Sequence, residues 1–245
     1  MANNACCPGS GYLSGCLVCG GELIYSPDKP FQVSCYYCGK TESAQVFCAN
    51  GHYVCDECHR RDILALVEQI CWQSRATDPL ELALEIFALP MLHMHGPEYH
   101  SIVPAVLVAA YGNSLGRQNR LAIKVAIARG KAVPGGACGS HGACGAAVGL
   151  GIAYAVIHQT TPLSLAERGR ANELTALALL EIGKRGGARC CKREAVTAIQ
   201  VAKAALGVFG DSGRPYLCRQ FSGNPDCLHR QCPFFPSQGA DPAGV

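Results

Sequence analysis

Eight potential metal ligands fall between residues 16 and 58, and their spacing constrains the fold of this chain more than any other feature. Two Cys-x2-Cys pairs and a Cys-x3-His-x2-Cys-x2-Cys run make up the set: Cys16, Cys19, Cys35, Cys38, Cys48, His52, Cys55 and Cys58. A Cys-x2-Cys knuckle turns the backbone so that both sulfur atoms face one ion, and a second pair completes a tetrahedral zinc site. The set therefore predicts two structural zinc ions, which contribute to folding and need no open coordination position.

The division of the eight ligands between the two ions is open in the sequence. In a sequential pairing, the first four ligands form a zinc ribbon and the last four form a second site. In an interleaved pairing, the run from Cys35 to Cys58 resembles six ligands of a RING cross-brace. A RING domain places its final Cys-x2-Cys pair downstream, whereas Cys16 and Cys19 lie upstream. This departure argues against ubiquitin-ligase activity.

The cysteine content also bears on the cellular setting. The chain has 245 residues and 17 cysteines, and it does not begin with the charged and apolar segments of a secretory signal. Disulfide scaffolds are usually short and secreted. We therefore expect a cytoplasmic, metal-binding protein from an organism or niche that is poor in oxygen. The net charge of +3 is too small to predict a nucleic-acid surface. The most apolar run, residues 142–157, is shorter than a membrane span and predicts a core helix.

A change of sequence pattern at Arg60 predicts the domain organisation. Knuckles give way there to helical periodicity, which indicates a zinc-binding module over residues 12–59, an all-α cysteine-rich domain over 60–235 and a disordered tail over 236–245. The fold class is therefore mainly α, with a zinc-ribbon or RING-like module in front. Asp78, Pro79 and Glu81 indicate a capped helix start. Further helices are expected at about 98–112, 118–129, 143–158, 164–184 and 192–207.

Seven more cysteines occupy three patches of the helical region, each beside glycines or cations at a turn: Cys138 and Cys144; Cys190 and Cys191; and Cys218, Cys227 and Cys232. Glycines let the backbone approach a bulky group, and a helix N-terminus favours thiolate over thiol. Cys232-Pro233 is like the Cys-Pro that ends ferredoxin runs, although the spacing matches no ferredoxin. We expect the patches to converge on one iron–sulfur cluster of the 4Fe–4S type. A thiol redox site, a third zinc ion and a structural role are the alternatives.

Seven thiols exceed the four that one cubane cluster needs, so spare thiols are available for chemistry. Adjacent Cys190 and Cys191 diverge by about 100° on a helix, so one ion rarely takes both. Because Arg189, Lys192 and Arg193 flank them, we expect the pKa of Cys190 to be lowered and its thiolate to act on substrate. The expected cluster ligands are Cys138, Cys144, Cys191, Cys218, Cys227 and Cys232.

The stretch "LHMHGPEYHS" concentrates three imidazoles and a carboxylate within eight residues. Such groups can bind a metal or move protons. His95 and His100 are five residues apart and do not share a helical face. We therefore expect His95, Glu98 and His100 to be pocket residues that handle protons rather than metal ligands, with a solvated loop and a capping histidine as the alternative.

The ordered set of motifs resembles a known family. The chain contains "CxxCG…CxxCGK", "GHYVCDECH", "MHGPEYH", "VPGGACGSHGACGAA", "EIGKRGGARCCKR" and "C-x4-CPF" from Cys16 to Phe234. This set resembles a cysteine-rich domain family of unknown function that is common in methanogens and other anaerobes, sometimes beside methyltransferase or radical-enzyme modules. The resemblance implies an anaerobic metalloprotein and names no reaction. "CGAAVGLGIA" with its later cysteines is also similar to a helical redox family with a C-GCAxxG-C-C pattern.

Three functions follow as hypotheses. The first is an enzyme, an iron–sulfur oxidoreductase or sulfurtransferase of anaerobic metabolism. The second is an accessory or assembly protein, such as a metallochaperone, whose zinc module binds a larger methyltransferase or radical enzyme. The third is zinc-mediated binding of nucleic acid, which the low net charge places last. No membrane partner is expected.

Overall fold

The structure, a computed structural model, describes residues 15–236 apart from residues 27, 90, 91 and 214, and apart from the side chains of residues 60–62. The described chain is mainly helical with two small sheets, which confirms the predicted fold class. The α-helices are α1 (Asp56–Gln73), α2 (Pro79–Phe87), α3 (Tyr99–Ser114), α4 (Arg120–Lys131), α5 (Ala137–Ser140), α6 (Gly145–Ile157), α7 (Ala166–Arg185) and α8 (Cys191–Leu206). Short 3-10 turns follow at Phe221–Gly223 and His229–Gln231. The predicted tail lies outside the described residues from 237 onward.

The two sheets are nested along the chain. Strand β1 (Leu23–Tyr25) pairs antiparallel with β4 (Val46–Cys48), and the hairpin of β2 (Phe31–Ser34) and β3 (Thr41–Ala44) lies between them in sequence. The β1–β4 register places Leu23 opposite Cys48. The first knuckle is therefore brought beside the fourth strand rather than beside the second knuckle.

Helix α3 is the centre of the helical region. It packs against α1, α2, α4, α6 and α8, and its residues from Ser101 to Ala110 are all buried. Helix α6 lies alongside it, and a Cβ atom on Gly149 would come within 2.9 Å of the Pro104 Cδ atom. The apolar run is thus the core helix that its sequence predicts. Cys71 is fully buried in the same core. None of the helices among the described residues is both long and apolar enough to span a bilayer.

The N-cap predicted at Asp78 also joins three parts of the fold. Asp78 Oδ1 accepts a hydrogen bond from the Leu80 amide at 2.9 Å, and Oδ2 accepts from Lys203 Nζ and the Ser212 amide, both at 2.9 Å. Burial by itself would raise the pKa of Asp78, but these hydrogen bonds outweigh it and hold that pKa below its usual value. The charged carboxylate therefore links α2 to α8 and to the segment after α8.

Replacing Asp78 by alanine is expected to lower the free energy of unfolding by about 3 kcal/mol, because a helix cap and charge-assisted hydrogen bonds are lost together. Asp211 is the matched control, since it pairs with the same Lys203 at 3.0 Å but its side chain is 76% exposed. Exposed ion pairs contribute roughly 0–1 kcal/mol, so Asp211→Ala should have little effect. Urea denaturation at neutral pH measures both. Equal losses in the two variants would contradict the bridging role of Asp78.

Candidate metal centres

The eight N-terminal ligands form two groups, and the grouping is interleaved. Cys16, Cys19, Cys48 and His52 make one group, and Cys35, Cys38, Cys55 and Cys58 make the other. Within each group the ligand atoms lie within 4.8 Å of one another. The sequential pairing is therefore not the one found. The physical reason is the nesting of the sheets, which places the end of β4 against the first knuckle.

The geometry within each group suits a tetrahedral ion. The Sγ atoms of Cys19 and Cys48 are 3.5 Å apart, and those of Cys38 and Cys55 are 3.6 Å apart. Zinc–sulfur bonds of about 2.3 Å in a tetrahedron place ligand sulfurs roughly 3.8 Å apart. Gly20 and Gly39, which follow the second cysteine of each knuckle, have φ angles of +70° and +71°. Glycine adopts these angles without strain, so the knuckle can close.

Backbone amides point at the ligand sulfurs. The Cys16 sulfur accepts from the Val18 amide at 3.4 Å, and the Cys48 sulfur accepts from the Asn50 amide at 3.3 Å. The Asn50 side chain, followed by backbone contacts, lowers the pKa of Cys19 to about 6. Burial instead raises the pKa of Cys48. Binding of a cation would therefore allow all three thiols of the group to lose their protons.

Helix α1 connects the second ligand group to the helical region. Cys55 is its N-cap residue and Cys58 lies in its first turn. Asp56 Oδ2 accepts a hydrogen bond from the Gly135 amide at 2.8 Å, and a Cβ atom on Gly135 would come within 2.7 Å of the same carboxylate. The predicted boundary at residue 59 thus falls inside a continuous helix. The division into residues 12–59 and 60–235 stays a prediction.

Four of the seven thiols in the three cysteine patches line one pocket. Cys190 lies at the N-cap of α8, and the other three come from the irregular segment after α8: Cys218, Cys227 and Cys232. The pocket is partly open to solvent, and aromatic side chains such as Phe234 and Phe235 complete its wall. Lys192 and Arg193 also line it, at 1% and 4% exposure. One thiol of the second patch and all three thiols of the third thus line the same pocket, and the convergence of the patches on one cluster stays a prediction.

The pocket thiols accept amide hydrogen bonds in the same way as the N-terminal ligands. The Cys227 sulfur accepts from the His229 amide at 3.3 Å. The Cys218 sulfur accepts from the Gln220 amide, and the Cys190 sulfur accepts from the Arg193 amide. Amide donors two or three residues after the cysteine stabilise a thiolate.

The other three thiols are not among the pocket-lining residues. Cys138 is exposed. Cys144, the N-cap residue of α6, is buried and donates a hydrogen bond to Glu194 Oε2 at 3.1 Å. Cys191 is the neighbour of Cys190, but its sulfur accepts from the Gly96 amide instead. The glycines near Cys144 serve close packing, since a Cβ atom on Gly145 would overlap the His100 ring at 2.1 Å.

The pKa of Cys190 is shifted in the direction opposite to the expected one. Burial raises it to about 11, which outweighs the lowering by the Arg193 amide and guanidinium. The pKa of Cys144 is raised to about 12 by burial and by the Glu194 carboxylate. The sequence shows the cations around "RCC" but not the depth at which the thiols lie.

The residues of the "LHMHGPEYHS" stretch separate in the structure. His95 Nε2 lies 3.2 Å from Asn224 Oδ1, next to the pocket, and His100 Nδ1 lies 3.1 Å from the Val133 carbonyl. Glu98 is instead grouped with His59 and His93, with ligand atoms within 4.8 Å of one another. The structure thus does not bring Glu98, His95 and His100 together, and their expected role as pocket residues that handle protons stays a prediction.

His59 is the member of this group that sequence reasoning missed. It directly follows Cys58, so the sequence pattern groups it with the end of the zinc motif. The sequence could have indicated His59 by its position directly after the knuckle. The helix continues there, so the His59 side chain projects from the first turn of α1 instead of joining the knuckle.

Comparisons with known proteins give a family without an activity. The model of a family of unknown function, DUF5714, matches residues 67–235. No curated protein matches the chain, and no solved structure matches it. The match begins within α1 and contains His93, Glu98 and all seven thiols of the three cysteine patches, while the N-terminal ligand groups lie outside it. The chain therefore belongs to this family of unknown function.

Proposed function

We propose that the chain is an iron–sulfur metalloprotein whose N-terminal ligand groups hold two structural zinc ions. The observation that carries the proposal is the convergence of four thiols on one pocket: Cys190, Cys218, Cys227 and Cys232. Four thiolates are the ligand set of a 4Fe–4S cluster. In this proposal Cys190 is a cluster ligand rather than the reactive thiolate, and Cys138, Cys144 and Cys191 are not ligands.

The surroundings of the pocket support a cluster. A cluster held by four thiolates is anionic, and the buried cations Lys192 and Arg193 offset that charge from one side. The amide donors to Cys190, Cys218 and Cys227 supply the hydrogen bonds that tune cluster potentials. A cluster spreads its thiolates over several irons, so their sulfurs need not approach as closely as those of the N-terminal groups.

The chemistry that this pocket supports is one-electron transfer. A cluster held by Cys190, Cys218, Cys227 and Cys232 would supply one-electron transfer between a reduced donor protein and an acceptor at the open side of the pocket. The protein supplies the thiolates, the cations and an apolar wall that limits the access of water. We propose that this chemistry takes place in the cytoplasm of an anaerobe, because the cysteines fall in metal-ligand spacings rather than in a short secreted disulfide scaffold.

Anaerobic purification followed by iron, sulfide and zinc analysis tests the proposal. The expected wild-type protein is brown, with about four irons and four sulfides per chain in addition to zinc. Cys227→Ser should lose most of the iron and sulfide while it keeps its zinc. Cys138→Ser is the matched control, because that cysteine is exposed and outside the pocket. A colourless wild-type protein without sulfide, or equal iron loss in both variants, would overturn the cluster.

An accessory role is the second candidate, and exposed aromatic residues of the N-terminal module favour it. Tyr36 and Tyr37 are 61% and 59% exposed, and Tyr25 and Phe31 are also exposed. Aromatic side chains of this kind are enriched at protein interfaces, so this face would bind a larger enzyme such as a methyltransferase or radical enzyme. Zinc without iron or sulfide in the anaerobic protein would favour this role over electron transfer.

A further inference from the structure

His59, His93 and Glu98 come together from three parts of the chain. His59 lies in the first turns of α1, His93 lies in the connection from α2 to α3, and Glu98 is the N-cap residue of α3. The His59 Nδ1 atom is 3.2 Å from Glu98 Oε2, and the His93 Nδ1 atom is 3.4 Å from Glu98 Oε1. The two imidazole centroids are 4.4 Å apart. Both rings thus turn the same nitrogen toward one carboxylate.

The atoms that face each other in this group are buried, and they meet as ion pairs without hydrogen-bond geometry. Within the described part of the chain, His59 Nδ1, His93 Nδ1 and both Glu98 carboxylate oxygens have no hydrogen-bond partner. Glu98 is 0% exposed. Buried polar atoms are nearly always hydrogen-bonded. Here the two imidazoles and the carboxylate meet only at ion-pair distances of 3.2 and 3.4 Å, which leaves their lone pairs available to a shared cation. A cation bound by all four would satisfy them at once.

The surrounding backbone is fitted to the three side chains. A Cβ atom on Gly96 would come within 2.0 Å of Glu98 Oε2 and 2.5 Å of the His59 ring, so only glycine leaves room for them. The Tyr99 hydroxyl donates to the His93 carbonyl at 2.7 Å and holds that part of the connection. Such supporting contacts orient metal ligands.

We propose that His59, His93 and Glu98 form a third metal site, which binds a divalent first-row transition ion and keeps coordination positions open. Two imidazoles and one carboxylate are the donor set of open zinc sites and of non-haem iron(II) sites. The N-terminal groups differ, because four protein ligands close each of them. The side chains of His59 and His93 are 15% and 18% exposed, which gives an ion and a water molecule a path from solvent.

This site is separate from the four-thiol pocket but lies next to it along α8. The Cys190 sulfur lines the pocket, whereas the neighbouring Cys191 sulfur accepts from the Gly96 amide at the edge of the third site. The two proposals are nevertheless independent, because sulfide content and visible colour report the cluster alone.

Cobalt binding to the full-length protein tests the third site. The protein as purified is treated with a mild chelator, which removes ions from open sites and leaves closed thiolate sites loaded, and is then titrated with Co²⁺. We expect one additional equivalent of Co²⁺ whose spectrum lacks a thiolate-to-cobalt charge-transfer band. His93→Gln and Glu98→Gln should each weaken this equivalent at least about tenfold, since each removes a ligand.

His158→Gln is the matched control, because His158 is the C-cap residue of α6, stacks on Tyr154 and belongs to none of the ligand groups. Zinc content and circular dichroism show whether each variant is folded, and two independent ligand variants keep the test decisive if one fails to fold. Absence of the extra equivalent in the wild-type protein, thiolate character in its spectrum, or unchanged affinity in His93→Gln would each overturn the site. Elemental analysis before chelation then distinguishes zinc from iron as the natural ion.

Discussion

Replacing Cys16 and Cys48 together by serine is expected to remove one N-terminal zinc ion, whereas replacing Cys16 and Cys35 together is expected to remove both. The reason is the interleaved grouping, in which Cys16 and Cys48 share an ion and Cys35 belongs to the other. Structural zinc in small modules contributes about 10–16 kcal/mol of binding free energy, so the loss is large. Zinc per chain in the soluble protein, measured by elemental analysis, gives the answer.

The same measurement separates the two pairings. With sequential pairing, Cys16 and Cys35 would share an ion, so the outcomes of the two double variants would be exchanged. A Cys16→Ser/Cys35→Ser protein that keeps one zinc ion would therefore contradict the observed grouping. The single variant Cys35→Ser should lower zinc content and solubility together, while Cys138→Ser should leave both unchanged.

Replacing Gly130 by alanine is expected to lower the free energy of unfolding by about 3 kcal/mol, at the upper end of the cost of overpacking. A Cβ atom on Gly130 would lie 2.3 Å from the His100 carbonyl oxygen and 2.6 Å from the Ser101 Cα atom. Backbone atoms cannot rotate away, so α3 and α4 would have to separate. For a domain of this size the midpoint of thermal unfolding should fall by roughly 6–12 °C.

Gly183 is the matched control for this substitution. It lies within α7, and a Cβ atom there would meet nothing within 4 Å. Alanine should therefore raise stability by about 0.5–1 kcal/mol through helix propensity alone. If Gly130→Ala proved as stable as Gly183→Ala, the close approach of α3 and α4 would be refuted.

The helices could be predicted because their signals are local. Asp78 caps α2 as its position before Pro79 predicts, and the apolar run around Gly149 forms a core helix. The N-terminal ligands could likewise be identified, since each knuckle carries its own spacing. These features depend on residues only a few positions apart.

The features that could not be predicted depend on contacts between distant parts of the chain. The zinc pairing follows from the pairing of β1 with β4, which no local spacing encodes. The thiol pKa values follow from depth, so burial raised the pKa of Cys190 although cations surround it in sequence. Glu98 was noticed, but its partner His59 lies 39 residues earlier, behind the zinc motif.

The first turn of α1 sets an order of assembly. An ion held by the second ligand group would fix this turn through Cys55 and Cys58, and His59 is the next residue of the same helix. Without that ion, contacts such as the hydrogen bond from the Gly135 amide to Asp56 would be left to hold the turn, and His59 would be held less firmly opposite Glu98. If both proposed ions are bound, we therefore expect the second group to take its ion before the third site does, so that loss of the first ion weakens binding of the other.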